Sequence, residues 1–393
     1  MKNQPSRNLF RVLIFTALGY VVLGFGLLWG EAGRAFTACD LASAQRDGKW
    51  GFINARGQWV IQPQFDQVED FAAGGLARIR NDEKWGFINA WGQWVIQPQF
   101  DQVEEFGADG LARVRNNEKW GFIDARGQWA VRPAFYGVGN FAANGLARAI
   151  SEEDEKLGFI NAQGEWVIQP AFYEVGDFAG GGLARAHINT GKWGFIDTQG
   201  EWAIPMEFDM VGDFAEDGLA RAGNDGKWGF INARGEWVIP PAFDEVGDFA
   251  GGGLAQARRG WKWGFINAKG QWAIQPGFDM VGDFAANGLA LAVSNGYGFI
   301  DVKGEWAIQP EFDYARSGFA ADGLAQVNIN GKWGFIDAKG RWVIPPRFDD
   351  VRNGFAAGGL AGAASDLKWG FINIKGEWVI EPGFDFVGDF ALP

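Results

Sequence analysis

Apolar and polar positions along this chain alternate in short runs, and the runs return in the same order again and again. From Leu76 the sequence reads LARIRNDEKWGFINAWGQWVIQPQFDQVEEF. The segments 76–80 and 84–88 are rich in β-branched and aromatic residues and are bounded by polar or Gly-containing turns, which is how strands read. A third run follows at 94–96. Between the second and third runs stands Asn89-Ala90-Trp91-Gly92. An Asx side chain caps such a turn on its own backbone, and the Gly supplies the left-handed residue of a bulged hairpin. Pro98 has no N–H for a ladder, so the third strand is expected to stop there, ahead of an irregular Pro-x-Phe-Asp segment.

The two faces of these strands say how the copies pack. Trp85 and Phe87 point one way and Gly86 and Ile88 the other, while Trp94 and Ile96 oppose Val95. Both faces are apolar. A sheet of that kind must be covered on both sides, and the available cover is the next copy.

Trp-Gly-Phe-Ile opens the second strand at Trp50, Trp85, Trp120, Trp193, Trp228, Trp263, Trp333 and Trp369, and Leu157 and Tyr297 replace the Trp in two further copies. The spacing is 34 to 37 residues over ten copies. Phe36 onward aligns with Phe71 onward, which places Cys39 and Ala42-Ser43-Ala44 at ordinary repeat positions. Extra residues fall in turns, at 151–155, 314–318 and 350–354, where no ladder is interrupted. The expected fold is all-β: ten tandem repeats of about 35 residues, each a three-stranded antiparallel meander, stacked by mutual burial. Because ten blades exceed the typical four to eight of a closed propeller, an open or spiral propeller-like array is the first expectation, with one or two closed β-propellers as the alternative.

Lys-Trp-Gly-Phe-Ile-Asn/Asp, Gly-x-Trp-Val/Ala-Ile, Pro-x-Phe-Asp and Phe-x-x-x-Gly-Leu-Ala, recurring together from Phe36 to Phe390, closely resemble the WG-repeat proteins, a class of bacterial tandem repeats. The resemblance implies a β-rich repeat array and a bacterial setting. It implies no activity, for the family brings no catalytic residues to transfer. Tyr136 and Tyr173 depart from the Asp after Phe, as Leu157 and Tyr297 depart from the Trp, and those copies are expected to pack or bind differently.

The N-terminus breaks the pattern. Positions 12–29, VLIFTALGYVVLGFGLLW, carry no charge. At about 1.5 Å per helical residue they match a hydrocarbon core of about 30 Å. Lys2, Arg7 and Arg11 precede the run, so a cytoplasmic N-terminus (1–11), a transmembrane helix or signal anchor (12–30), a linker (31–35) and a repeat array outside the cytoplasm (36–393) are expected. Secretion after signal cleavage is the alternative, with Ala42-Ser43-Ala44 as the cleavage signal. The apolar run is longer than the roughly 7 to 15 residues of a signal-peptide core.

Composition narrows the chemistry. One Cys and one His (His187) rule out an intrachain disulfide and multi-His or multi-Cys metal sites, and no cofactor is indicated. A formal charge of −13 disfavours nucleic acid as a partner. Asp pairs such as Asp209/Asp213, Asp244/Asp248 and Asp279/Asp283 lack the dense spacing of calcium loops, and turn capping accounts for them more simply. Ten nearly equal environments do not separate the pKa values of an acid and a base, so no enzyme is expected. His187 follows a first strand and reads as an exposed turn residue.

Two groups are candidate partner-binding residues. Arg78, Arg113, Arg148, Arg185 and Arg221 hold one equivalent position, which Gln256, Leu291, Gln326 and Gly362 take later. They form either a cationic ladder for an anionic partner or salt bridges and packed stems between neighbouring copies. Trp91 and Trp261 lie outside the regular Trp positions, on or beside turns, and suit contact with protein or sugar. The resulting expectation is a non-catalytic, membrane-anchored scaffold that binds a protein partner in the cell envelope, with cell-wall or surface carbohydrate as the alternative ligand.

Overall fold

The computed structural model describes residues 40–390, apart from 73, 180, 190, 251, 353 and 356–358. The expected transmembrane helix at 12–30 and Cys39 lie outside the described residues. Among the described residues no helix is long and apolar enough to cross a membrane.

The described residues form ten four-stranded antiparallel sheets. The second of these shows the plan: Gln67–Val68, Leu76–Asn81, Lys84–Asn89 and Trp94–Phe100, paired in that order. The three strands expected from alternation are present, and a fourth precedes them. This joint strand comes from the segment after Phe-Asp, which reads as irregular in sequence but pairs with the first strand of the following copy, as in Val68↔Ile79. Each sheet is therefore offset from the sequence repeat by one strand.

Pro98 does not end the third strand. Trp94–Phe100 runs through it, with Trp85 facing Phe100 and Phe87 facing Ile96, so three residues stand opposite Gly86. The third strand is a sheet edge, and the proline sits in a bulge there, where its missing N–H costs no ladder bond. The bulge explains the Gly of Trp-Gly. A Cβ on Gly86 would lie 2.4 Å from the Ile96 carbonyl oxygen and 2.8 Å from the Pro98 nitrogen. The turn after it forms as its residues predict: Asn89 Oδ1 accepts the N–H groups of Trp91 and Gln93, both at 3.0 Å, and Gly92 has φ of 74°.

Neighbouring sheets cover each other's apolar faces. Phe52, Ile61 and Phe65 of the first sheet pack with Val68, Phe71, Ile79 and Ile88 of the second, and Phe87 and Ile96 of the second pack with Val103 and Val114 of the third. Phe87 and Ile88, adjacent on one strand, thus belong to different cores. Each interface also holds an edge-to-face Phe–Trp pair, such as Phe65 with Trp94 at 5.8 Å, and a tilted Phe pair, such as Phe52 with Phe71 at 4.7 Å.

Among the described residues the array closes on itself. Phe386–Phe390 is the joint strand of the first sheet and pairs with Leu41–Arg46. Phe384 meets Trp59 at 5.6 Å and Phe371 meets Phe390 at 4.9 Å, and Ala42, Ala44 and Ile53 share a core with Phe371 and Ile380. This is the same interface found between the other sheets. The open or spiral array expected first is corrected to a single closed ring of ten blades, and the reason is that the C-terminal strand completes the N-terminal sheet.

Candidate functional site

The charged residues of the repeat are spent first on the joints between blades. The Asp after Phe lies between the third strand of one sheet and the joint strand of the next. Asp209 accepts a hydrogen bond from Lys192 Nζ at 2.6 Å and from the Asp225 N–H at 2.8 Å, the latter in the hairpin of the following sheet. Asp66 is held by Lys49 and the Asp82 N–H, Asp101 by Lys84 and the Asn117 N–H, and Asp385 by Lys368 and the Asp47 N–H across the closure. The lysine hydrogen bond is the main cause holding the carboxyls of Asp66, Asp101, Asp209, Asp244, Asp349 and Asp385 below the usual Asp range. Where Tyr replaces this Asp the lysine turns to the ring: Lys119 stands 4.2 Å from the Tyr136 centroid, and Lys156 covers Tyr173.

The arginine ladder serves the same joints. Nη1 of Arg78, Arg113, Arg148, Arg185 and Arg221 approaches the carbonyl oxygen of Val103, Val138, Val175, Val211 and Val246, each in the next sheet. Arg148, Arg185 and Arg221 also pair with Asp177, Asp213 and Asp248 at 3.1, 3.0 and 2.8 Å. Gln256 donates to Asp283 at 2.7 Å in the same way. The second Asp of each Asp-x-x-x-Asp pair is thus an inter-blade acceptor. Inter-blade ion pairs are thus made by Arg78, Arg148, Arg185 and Arg221, while Arg113 contributes its bond to the Val138 carbonyl. Among the described residues no group of three or more His, Cys, Asp or Glu is placed to hold a metal ion.

The two irregular tryptophans are not brought together. Trp91 is half-buried in the turn between second and third strands, and Trp261 lies in the hairpin between first and second strands, at the other end of its sheet. Trp261 is 88% exposed. His187 is not a free turn residue; it ends the strand Ala184–His187 with its ring 4.7 Å from Trp193.

The end of the sheets that carries Trp261 also carries other exposed apolar side chains. Leu367 occupies the same hairpin three repeats on and is 89% exposed. Met210, Met280, Tyr314 and Phe386 follow the joint Asp and are exposed as well. Phe386 lies between Trp50 and Trp369 at 5.7 and 5.6 Å, which joins the exposed ring to the regular Trp row. The hairpins and joints share one end because strand direction alternates, and the Asp225 N–H to Asp209 bond shows them in contact. Sequence reasoning passed over these positions. Their signal was variability inside a fixed frame, since the residue after Phe-Asp is Gln67 or Gln102 early, and later Met210, Met280, Tyr314 or Phe386 in four copies but Glu245 and Asp350 in two.

A family profile described as a WG containing repeat matches residues 50–85, 85–120, 120–150, 158–192, 193–228, 228–262, 263–296, 297–333, 333–363 and 369–391. A search of curated protein sequences finds no match. Among solved structures, the chain is similar to a eukaryotic initiation factor at 11% identity and a TM-score of 0.51, covering 90% of this chain and 98% of that one. It is also similar to BamB from Moraxella catarrhalis at 14% identity and a TM-score of 0.36, covering 67% and 88%. At 11% identity the likeness to the initiation factor is one of fold alone.

Proposed function

The chain belongs to the WG containing repeat family, and on that premise we propose that it is a non-catalytic scaffold that binds a protein partner through the hairpin-and-joint end of its ring. The observation that carries the reading is the group of large apolar side chains left in water there, Met210, Trp261, Met280, Tyr314, Leu367 and Phe386, of which Trp261 and Leu367 are 88% and 89% exposed, well above the exposed Trp342, Tyr136 and Tyr173 and the third-strand valines elsewhere. Aromatic residues and Met are the residue types that anchor protein interfaces, and large apolar side chains kept exposed at one end mark such a surface. The joints beneath are fixed by Lys–Asp bonds, so the surface is preformed and costs little ordering on binding.

The charge-free run at 12–29 behind Lys2, Arg7 and Arg11 supports placing the scaffold on the membrane, with the ring outside the cytoplasm in the cell envelope of a bacterium. Ala42 and Ala44 are buried in a paired strand, which favours an anchor over cleavage beside them.

The test is crosslinking capture from envelopes with the full-length chain, beside the variant Met210→Ser, Trp261→Ser, Met280→Ser, Leu367→Ser. The wild type should recover a reproducible protein that the variant loses while melting as before. Capture unchanged in the variant overturns the surface assignment. Binding on a glycan array without a protein hit replaces the reading with carbohydrate recognition.

A further inference from the structure

A cleft of about 410 Å3 opens at the other end of the sheets, between the second and third blades, bordered by the turns that join each joint strand to its first strand. Its floor is apolar: Leu76, Phe87 and Phe106, the two rings 4.9 Å apart. Its volume falls within the roughly 300 to 1,000 Å3 of ligand pockets. Gly107 lines one wall where other copies carry Ala72, Ala142, Ala179 or Ala215, so a methyl group is missing here.

Among the described residues, the rim has a charge balance found at no other arginine of the ladder. Arg148, Arg185 and Arg221 each face one carboxylate. Arg78 is shared by Glu105, Glu104 and Glu69 at 3.3, 3.6 and 3.9 Å. Asp70, also on the rim, is already held by Ser43 Oγ at 2.6 Å and the Asp389 N–H at 3.2 Å. One guanidinium cannot neutralise three carboxylates. Negative charge is left over beside an apolar cleft, where Glu105 lines the mouth with 63% of its side chain exposed, so it draws a cation by an attraction that salt screens. A divalent ion needs convergent oxygens, and the described residues offer no group of three placed for one.

We propose that this cleft binds a ligand with a primary ammonium or guanidinium group on an aliphatic stem. The stem covers Leu76 and Phe106, with Phe87 buried beneath them, and the cation offsets the surplus charge at Glu105 and its neighbour Glu104. Such a group is supplied by a Lys or Arg side chain of a peptide or by a free polyamine. The site lies away from the hairpin end and does not depend on what docks there.

Saturation-transfer NMR at low ionic strength with the full-length chain tests this, with agmatine and Nα-acetyl-lysine N-methylamide as probes and 1-pentanol as the uncharged control. At least one cationic probe should bind well above pentanol, and Glu105→Gln should weaken it by roughly threefold to tenfold. Gly74 borders the cleft outside the left-handed region, and a Cβ there meets nothing within 4 Å. Gly74→Trp should therefore block binding without lowering the melting temperature. If it does lower it, the double variant Glu104→Gln, Glu105→Gln decides, and must lose binding. Agmatine alone points to a free polyamine, and the lysine derivative alone to a peptide side chain. The proposal fails if neither probe binds, if binding survives the blocking or charge-removing variants, or if Ca2+ displaces the probes stoichiometrically.

Discussion

Single residues in this ring are chosen by what they stand next to, and Gly86 shows it best. The bulge opposite it brings the Ile96 carbonyl and the Pro98 nitrogen to where a Cβ would be, both backbone atoms that cannot swing away. Gly86→Ala is expected to cost about 1 to 3 kcal/mol, the range of forced overpacking, while Gly74→Ala is neutral. Chemical denaturation of the two variants checks the contrast. Leu367 poses the opposite case. It sits at φ of 64° with 89% of its surface in water, so it is both strained and unburied. Leu in the left-handed region costs roughly 1 kcal/mol or more that Gly avoids. Leu367→Gly should raise the melting temperature and lower partner capture, which is the signature of a side chain kept for contact and not for folding.

Among the elements, the three longer strands are legible in sequence because period-2 alternation over four to six residues leaves a mark. The joint strand is not: Gln67–Val68 is two residues long, and its partner lies in the next copy. Pro98 misleads for a related reason, since it reads as a stop wherever the strand is taken as internal, and here the strand is an edge. In sequence Asp209 reads as a turn cap and Arg185 as either a partner-binding cation or a salt bridge, and the atoms they meet follow only from the one-strand offset between repeat and sheet. The joints themselves predict an acid response. Their Asp carboxyls titrate below the ordinary value of roughly 3.9, chiefly through the Lys hydrogen bond, so the folded state binds fewer protons than the unfolded chain. Their contribution is complete above that value and is lost as pH falls below it. Thermal melts should be flat above about pH 5 and decline below about pH 4, and less steeply in Asp209→Asn, Asp244→Asn. An equal decline would remove the joints from the account.

For the whole ring, closure decides whether ten interfaces or nine are made. The strand Phe386–Phe390 pairs with Leu41–Arg46 at the far end of the described chain, and it supplies the joint strand, Phe390 for the core with Phe371, and Phe386 for the row between Trp369 and Trp50. The blade count was legible as a repeat count, but closure was not, because sheet curvature is set by the wedge of side chains at each interface and leaves no periodic mark. If closure matters, a chain ending at Asp385 keeps every other sheet yet leaves Leu41–Arg46 as an open edge with unpaired N–H and C=O groups. The loss of Phe390 alone, a buried core ring, is worth about 3 to 5 kcal/mol, and the opened interface adds to it. Removing residues 152–155 also shortens the chain, by four residues, without touching a strand. The truncation should therefore lower the melting temperature sharply, broaden the transition and promote association through the bare edge, whereas the turn deletion should leave a sharp monomeric melt. Calorimetry with light scattering distinguishes them, and similar behaviour of the two would mean that the ring is held blade by blade and owes nothing to its final strand.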